Sequence, residues 1–234
     1  MGGVRPAPGF VIAIDGPAGA GKSTTARLAA SELGFRHLDT GAMYRAVTLK
    51  IIESGTNPRD TRALSRLLAQ TRVRVEWPRT RGGTGRVLLD GREVGRLIRT
   101  PTVNESVSVV AAIPLVRRAM VKEQRRAASR QRVVCEGRDI GSVVFPRAQL
   151  KVYLDCDIEE RTRRRERELR GLGTRQTRTA VRAGLALRDQ IDSTRTTSPL
   201  RQVKDAVVID TTDLTIAEQV GVVCDLARRR GVSA

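Results

Sequence analysis

Apolar residues along the chain follow two rhythms. Short, dense runs such as "FVIAI" (10–14), "RVVCEG" (132–137), "LKVYLDCD" (150–157) and "DAVVID" (205–210) predict buried strands. Between them lie stretches with helical spacing, over Ser23–Leu33, Ala42–Ser54, Thr61–Gln70, Thr102–Ala127, the arginine-laden run from Ile158, a second helix through "LRDQIDSTR", and Thr215–Arg230. Gly34 and Gly55 stop two of these helices, and Gly171 and Gly173 break a third. Strands alternating with helices predict an α/β fold around a central parallel sheet flanked by helices. From Arg72 the period changes to two. "RVRVEW" and "RVLLDGREV", separated by the glycine-rich "RTRGGTG" and carrying a tight turn at Asp90–Gly91, predict a small antiparallel meander inserted into the α/β chain.

No apolar run approaches the roughly 20 residues that a membrane-spanning helix needs. "SVVAAIPLV", from Ser108, is among the longest. The N-terminus "MGGVRPAPGF" has no apolar signal core, and Pro6 stands where a myristoylation motif wants Ser or Thr, so a cytoplasmic protein is expected. There is no repeat, linker or low-complexity tract to divide the 234 residues.

Composition changes the picture in one respect. The formal charge is +18, and 38 of the 43 basic residues are arginine. Such a balance suits nucleic acid, an anionic membrane or anionic small substrates. Aromatic residues make up only 3%, too few for the stacking platforms of single-strand binders. The arginine skew also fits a coding region rich in G and C, and Glu–Arg pairs at i, i+4 read most of the arginines after Ile158 as a solvated helix face. Cys135, Cys156 and Cys224 lack metal-ligand spacing and read as small core residues, and the single histidine, His37, reads as structural.

Chemistry enters at "DGPAGAGKST". Gly16 to Ser23 fits G-x-x-x-x-G-K-[ST] between a predicted strand and a predicted helix. Through Gly16, Pro17, Ala18, Gly19, Ala20 and Gly21 the backbone N–H groups can curl around phosphate oxygens, helped by the positive end of the helix dipole. Lys22 then reaches the β and γ phosphates, Ser23 offers a hydroxyl to Mg²⁺, and Thr24 a hydroxyl near the α phosphate. Asp15, just before the loop, suits either a metal-bound water or a turn. The guanine-reading Asn-Lys-x-Asp run of switch GTPases is absent, as is the signature loop of ABC-type ATPases; a small-molecule kinase instead needs an acceptor pocket and a mobile cover that excludes water. If its acceptor is a phosphate monoester, with a second pKa near ~6, no general base is needed. The site must instead hold two anions together, a task for arginines such as Arg45, Arg138, Arg188 and Arg195. "LDTGAMYR" (38–45) gathers an acid, a hydroxyl, an aromatic and an arginine where the preceding helix has run out.

Taken in order, "DGPAGAGKST", "LDTGAMYR", "IRTPTVNESVSVVAAIPLVR", "EGRDIGSVVFP" and "RDQIDSTR…SPL" make the chain resemble the bacterial cytidylate kinases over nearly its whole length. The resemblance implies a P-loop nucleoside monophosphate kinase fold, one unit over 1–234, with an acceptor-binding insert over about 40–130 and a helical lid over about 158–198. It implies transfer of the γ-phosphoryl group of ATP, with Mg²⁺, to CMP or dCMP by a monomer without a nucleic-acid or membrane partner. Thr40, Tyr44 and Arg45 would surround the acceptor phosphate and sugar, with Arg138 and Arg195 also near phosphate. Ser108, Arg117 and Asp139 would read the cytosine edge, and Asp192 the ribose hydroxyls. Arg164 and Arg188 would be lid arginines that reach the transferring group, with Arg161 and Arg165 as neighbours able to serve. Ser142, Glu136, Gln190 and Ile191 depart from residues common in the family. A P-loop kinase of another small acceptor and a basic nucleic-acid-binding ATPase are the rival readings.

Overall fold

The structure, a computed structural model, describes residues 9–78, 82–171 and 173–232. Pro6 and the rest of the first eight residues, with the readings made from them, lie outside the described residues, as does part of the "RTRGGTG" run. The chain opens with β1 (Val11–Asp15), α1 (Lys22–Glu32), β2 (Arg36–Asp39) and α2 (Thr40–Glu53). Next come α3 (Thr61–Gln70), β3 (Val73–Glu76), β4 (Gly83–Thr84), β5 (Arg86–Leu89) and β6 (Arg92–Glu93). After a 3-10 turn at Leu97–Arg99 follow α4 (Pro101–Ala112), α5 (Pro114–Ala127) and β7 (Val133–Gly137). A π-helical turn (Ile140–Val144) then leads to β8 (Leu150–Asp155), α6 (Ile158–Gly171), α7 (Arg178–Thr194), β9 (Val207–Asp210) and α8 (Ile216–Arg228).

Six strands form a parallel sheet in the order β4-β2-β7-β1-β8-β9. Its strands are buried because side chains alternate between two packed faces. On β1, Ile12 and Ile14 join one cluster with Ala26, Ala29 and Ala30 of α1 and Val220 and Val223 of α8. Ala13 points the other way, into a core with Met43 and Val47 of α2 and Val116 and Met120 of α5. Cys135, Cys156 and Cys224 are buried and unbridged, as expected of small core residues. The sheet order reverses beside β1, and the register brings Asp15 level with Gly137 and Asp39 level with Glu136 at the carboxyl ends. Crevices at such switch points are where ligands bind in open α/β sheets.

Two expectations need correcting. The predicted helix over Thr102–Ala127 is two helices. Ile113 is extended (φ −71°, ψ 123°), as a residue before proline must be, and Pro114 starts α5 at its first turn. The antiparallel meander is real, with β3, β5 and β6 in that order, but part of its glycine-rich connection does more than turn. Gly83 and Thr84 leave the small sheet and pair in parallel with Arg36 and His37, becoming the sixth strand of the central sheet.

Helices α6 and α7 pack together and rest on the phosphate loop through Leu169, Val181 and Leu185, which cluster with Ala18. Among the described residues no helix is long and apolar enough to cross a membrane.

Candidate active site

The loop from Gly16 to Gly21 owes its path to three glycines in backbone regions that side chains avoid, with φ of 149°, 81° and 91° at Gly16, Gly19 and Gly21. Their reasons differ. A Cβ on Gly16 would lie 2.1 Å from the Leu154 carbonyl oxygen, so this glycine lets the loop pass over β8. A Cβ on Gly21 would meet Gln219 at 2.8 Å. Gly19, Gly21, Lys22, Ser23 and Thr24 face a cavity of about 900 Å³, as does Ala18, whereas Gly16, Pro17 and Ala20 are not among its lining residues.

Inside the loop Lys22 Nζ donates to the Pro17 carbonyl at 2.5 Å. Burial, with repulsion from Arg138 added, brings its ammonium down to about 7. Asp15, placed by the sequence either at a metal-bound water or at a turn, is engaged with backbone amides beyond its own loop. Its carboxylate accepts from the N–H groups of Ile140 (2.8 Å) and Gly141 (2.7 Å), holding the π-helical turn that follows Asp139. Burial pushes Asp15 up to about 6, against the pull of those two amides.

Ser23 Oγ donates to Glu136 Oε2 at 2.7 Å. Glu136 is also within 3.3 Å of His37 Nε2, and Thr40 Oγ1 donates to its backbone carbonyl at 2.6 Å. Burial works against the Glu136 carboxylate, but His37, Lys22 and Ser23 outweigh it and leave the group below the usual range. Asp39, level with it on β2, goes the other way, raised by burial and by the Glu136 charge.

"LDTGAMYR" straddles a strand end and a helix start. Asp39 is the N-cap of α2, its carboxylate accepting from Ala42 N–H at 2.9 Å, so Thr40, Tyr44 and Arg45 stand on the first turns of a helix rather than past the end of one. Arg45 Nε donates to Asn104 at 3.2 Å. The α4–α5 break brings two more predicted residues inward. Ser108 lines the cavity from α4, and Arg117 turns back from α5 to donate to the Ala111 carbonyl at 3.1 Å, a group the end of α4 leaves open. Arg117 also pairs with Asp139 and lies 5.4 Å from the centre of the Tyr44 ring. Burial pushes the Tyr44 hydroxyl up to about 12 although Arg117 pulls against it.

Arg138 Nε donates to Asp192 at 2.8 Å, and Arg195 lies 3.6 Å from Asp192 and 3.7 Å from Asp139. One lattice of three guanidiniums and two carboxylates therefore spans α5, the strand end of β7 and the end of α7. Arg188 hangs from α7 with its Nε buried and unpaired, and burial together with Arg138 and Arg45 brings it down to about 10.

On α6, Arg164 donates to Glu160 and to Thr211 and lines the cavity beside Gly21. Its neighbour Arg165 pairs with Glu168 and also lines the cavity. Arg161 does not line it: buried, this arginine donates to the carbonyls of Cys156 (2.9 Å) and Ala18 (3.2 Å) and pairs with Asp189, tying both helices to the phosphate loop. The remaining α6 arginines behave as a solvated face should, Arg163 and Arg167 pairing with Glu160.

Apart from Asp15 and Arg161, the residues predicted outside the phosphate loop thus face one cavity, from Thr40 and Tyr44 to Asp192 and Arg195. The model of the family described as "Cytidylate kinase" matches residues 12–229. The chain belongs to that family. It is 45% identical over 220 residues to a cytidylate kinase of Carboxydothermus hydrogenoformans, covering 94% of this chain and 97% of that one. With a cytidylate kinase of Pelotomaculum thermopropionicum it shares 48% over 209 residues, covering 89% and 92%. Among solved structures, an uncharacterised protein of Eubacterium ventriosum superposes with a TM-score of 0.50 over 94% of this chain and 98% of that one, and at 11% identity that likeness concerns the fold alone.

Three lining features escaped the sequence reading. His37 faces the cavity through its bonds to Glu136 and Thr84, partners 99 and 47 residues away. Arg99 lines it from the 3-10 turn, within "IRT", where only its basic type marked it. The loop 212–216 after β9 closes one end, and its position was readable in principle because it follows a strand at the carboxyl edge of the sheet.

Proposed function

We propose that the chain transfers the γ-phosphoryl group of ATP to CMP or dCMP, giving ADP and CDP or dCDP. The observation that carries this reading is a single cavity with a phosphate loop on one wall and, on the other, a lattice of arginines and carboxylates around Tyr44. ATP phosphates take the loop, where amide N–H groups and the start of α1 attract anions. Magnesium prefers hard oxygen donors and keeps several waters. The Ser23 hydroxyl and Glu136 carboxylate, 2.7 Å apart, are donors of that kind, so these two residues would hold it. When bound, the ion supplies positive charge to the β and γ phosphate oxygens. Lys22, released from the Pro17 carbonyl, adds its own.

The acceptor monophosphate sits against Arg45, Arg138 and Arg195, with Thr40 beside them. At neutral pH its phosphate is mostly a dianion and is already the nucleophile, so no side chain need remove a proton. Catalysis is then alignment and charge cancellation, for which forked guanidiniums suit better than lysine. Arg188 and Arg164, approaching from α7 and α6, cover the transferring group. Asp139 accepts from the cytosine amine while Arg117 and Ser108 donate to its N3 and O2 acceptors, and Asp192 takes the ribose hydroxyls. In domain terms α2 to α5 with the small sheet form the acceptor insert, and α6 and α7 the lid.

The reading extends to a cytoplasmic monomer without nucleic-acid or membrane partners. Its support is that exposed large apolar side chains are scattered, as with Ile52, Val109 and Val208, and that several α6 arginines are matched by glutamates on their own helix. Turnover of a panel of CMP, dCMP, UMP and AMP, read by coupled ADP detection, tests the whole. CMP and dCMP should lead; inactivity on both alongside turnover of AMP or a non-nucleotide acceptor would refute the base assignment.

A further inference from the structure

His37 is the chain's only histidine and sits 3% exposed at the junction of two machines, the phosphate loop and the acceptor insert. Its Nδ1 lies 3.0 Å from Thr84 Oγ1 and its Nε2 lies 3.3 Å from Glu136 Oε1. An ionised carboxylate only accepts hydrogen bonds, so Nε2 must carry the proton. In the neutral ring Nδ1 is then an acceptor, and the Thr84 hydroxyl is the donor that fits it. Thr84 is held level with His37 by the β2–β4 pairing, and the Gly85 N–H donates to the His37 carbonyl at 3.2 Å.

We propose that His37 is a positioning residue: the acceptor-only Glu136 carboxylate selects its Nε2–H tautomer, Thr84 donates to the Nδ1 that this leaves open, and Nε2–H holds Glu136 Oε1 so that Oε2 faces Ser23. A glutamate has three side-chain torsions, and this one stands level with Asp39, whose charge repels it. Without His37 the carboxylate keeps only the Ser23 bond to Oε2, and the oxygen pair formed by Ser23 and Glu136 is held less firmly. Partners of this kind orient ligands from one layer further out, and losing them typically weakens metal binding about ten-fold or more. The two-residue strand β4 thereby ties the insert to the metal end of the donor site, which explains why a glycine-rich connection joins the central sheet at all. The inference rests on the magnesium–ATP reading of that end of the cavity.

Imidazole ¹⁵N spectra of the unliganded wild-type protein test the tautomer independently of that reading. An Nε2–H pattern is expected, kept in Thr84→Val, whose site is exposed enough to tolerate the change, but with the Nδ1 resonance shifted downfield as it loses its hydroxyl donor. An Nδ1–H wild type overturns the proposal. Magnesium titrations of phosphoryl transfer then follow the consequence. His37→Leu should raise the half-saturating Mg²⁺ concentration about ten-fold with the acceptor KM unchanged. His37→Gln, which places an amide N–H near the position of Nε2, should restore most of the loss. Unaltered magnesium dependence in His37→Leu, or a His37→Gln as impaired as His37→Leu, overturns the proposal. Absence of magnesium-dependent transfer in the wild type would instead sink the kinase reading, leaving the spectra to stand on their own.

Discussion

Asp139→Asn separates what the lattice does for the fold from the base reading proposed for it. Arg117 and Asp139 are 2% and 4% exposed, and Arg195 approaches the same carboxylate to 3.7 Å. The substitution keeps the volume but removes one of two negative charges facing Arg117, Arg138 and Arg195. Breaking a buried pair from one side costs about 3–5 kcal/mol. Arg117 retains the Ala111 carbonyl and the Tyr44 ring, so the lower end, about 3 kcal/mol, is expected. For a chain of this size that is a fall in Tm of about 6–12 °C. The effect on selectivity has a different origin. An amide can donate to a uracil oxygen where a carboxylate repels it, and it accepts less strongly from a cytosine amine. A charged hydrogen bond is worth about 1.5–3 kcal/mol, so the ratio of kcat/KM for CMP over UMP should fall by roughly 10- to 100-fold. Differential scanning calorimetry reads the first effect and coupled ADP detection the second. An unchanged CMP/UMP ratio in a folded Asn variant would refute the base-reading role, and an unchanged Tm would show that the pair does not hold Arg117.

Lys22 predicts a proton linkage. Its ammonium lies at about 7 in the unliganded loop, and bound polyphosphate keeps it charged, so above pH 7 ATP binding takes up a proton. ATP affinity should weaken by up to about ten-fold per pH unit as pH rises from about 7 to 9, with proton uptake visible by calorimetry in buffers of different ionisation enthalpy. A flat profile would count against it. For the unliganded fold the sign is opposite: the depressed pKa costs stability that is lost in full below pH 7 and recovered as pH rises toward 10.5. Gly16→Ala would put a methyl 2.1 Å from the Leu154 carbonyl oxygen at a φ of 149°, so it should abolish ATP binding and lower Tm together, whereas loss of binding at an unchanged Tm would mean the glycine serves phosphate alone. Gly41→Ala would set a Cβ 2.9 Å from an Arg45 nitrogen and 3.1 Å from Asp39, at a position where the backbone itself is not strained. It should raise the acceptor KM several-fold with little change in Tm, checked by initial rates and thermal melts; an unaltered KM would remove Arg45 from acceptor binding.

What was legible depended on whether the signal was local. The phosphate loop is spelled by residue types in eight consecutive positions, and the strands of the central sheet by dense apolar runs. Pro114 was also a local signal, since an extended residue before proline marks a helix boundary, but the apolar spacing on both sides ran through it and masked the break. Strand β4 had no local signal. Gly83 and Thr84 have neither β-branched density nor alternation, and they join the sheet because His37 supplies a partner at the right register. His37 itself looked structural because one histidine cannot make a zinc site. Its role comes from an acid and a hydroxyl far away in sequence. Arg161, Arg164 and Arg165 show the same limit in small compass. All three lie on one helix within five residues, and only packing decides that the first braces Ala18 while the others face the cavity.

The same distinction explains where the charge of +18 matters. A guanidinium whose donors all have partners is satisfied, and pairs such as Arg163–Glu160 and Arg182–Glu159 lie at the surface, where they contribute little. Around Tyr44 the accounting is different. Six guanidiniums, of Arg45, Arg99, Arg117, Arg138, Arg188 and Arg195, face four carboxylates, of Asp39, Glu136, Asp139 and Asp192. Arg117 Nε, Arg188 Nε and an Arg195 terminal nitrogen are buried without a hydrogen-bond acceptor. Buried donors without partners cost about 1–3 kcal/mol each, which a fold keeps only where something else supplies the acceptors. An excess of two positive charges with open donors is the complement of a phosphate dianion. The carboxylates retained among the arginines keep that excess from growing, so that a molecule bearing one phosphate and a hydrogen-bonding base fits where a bare polyanion would leave Asp139 and Asp192 opposed.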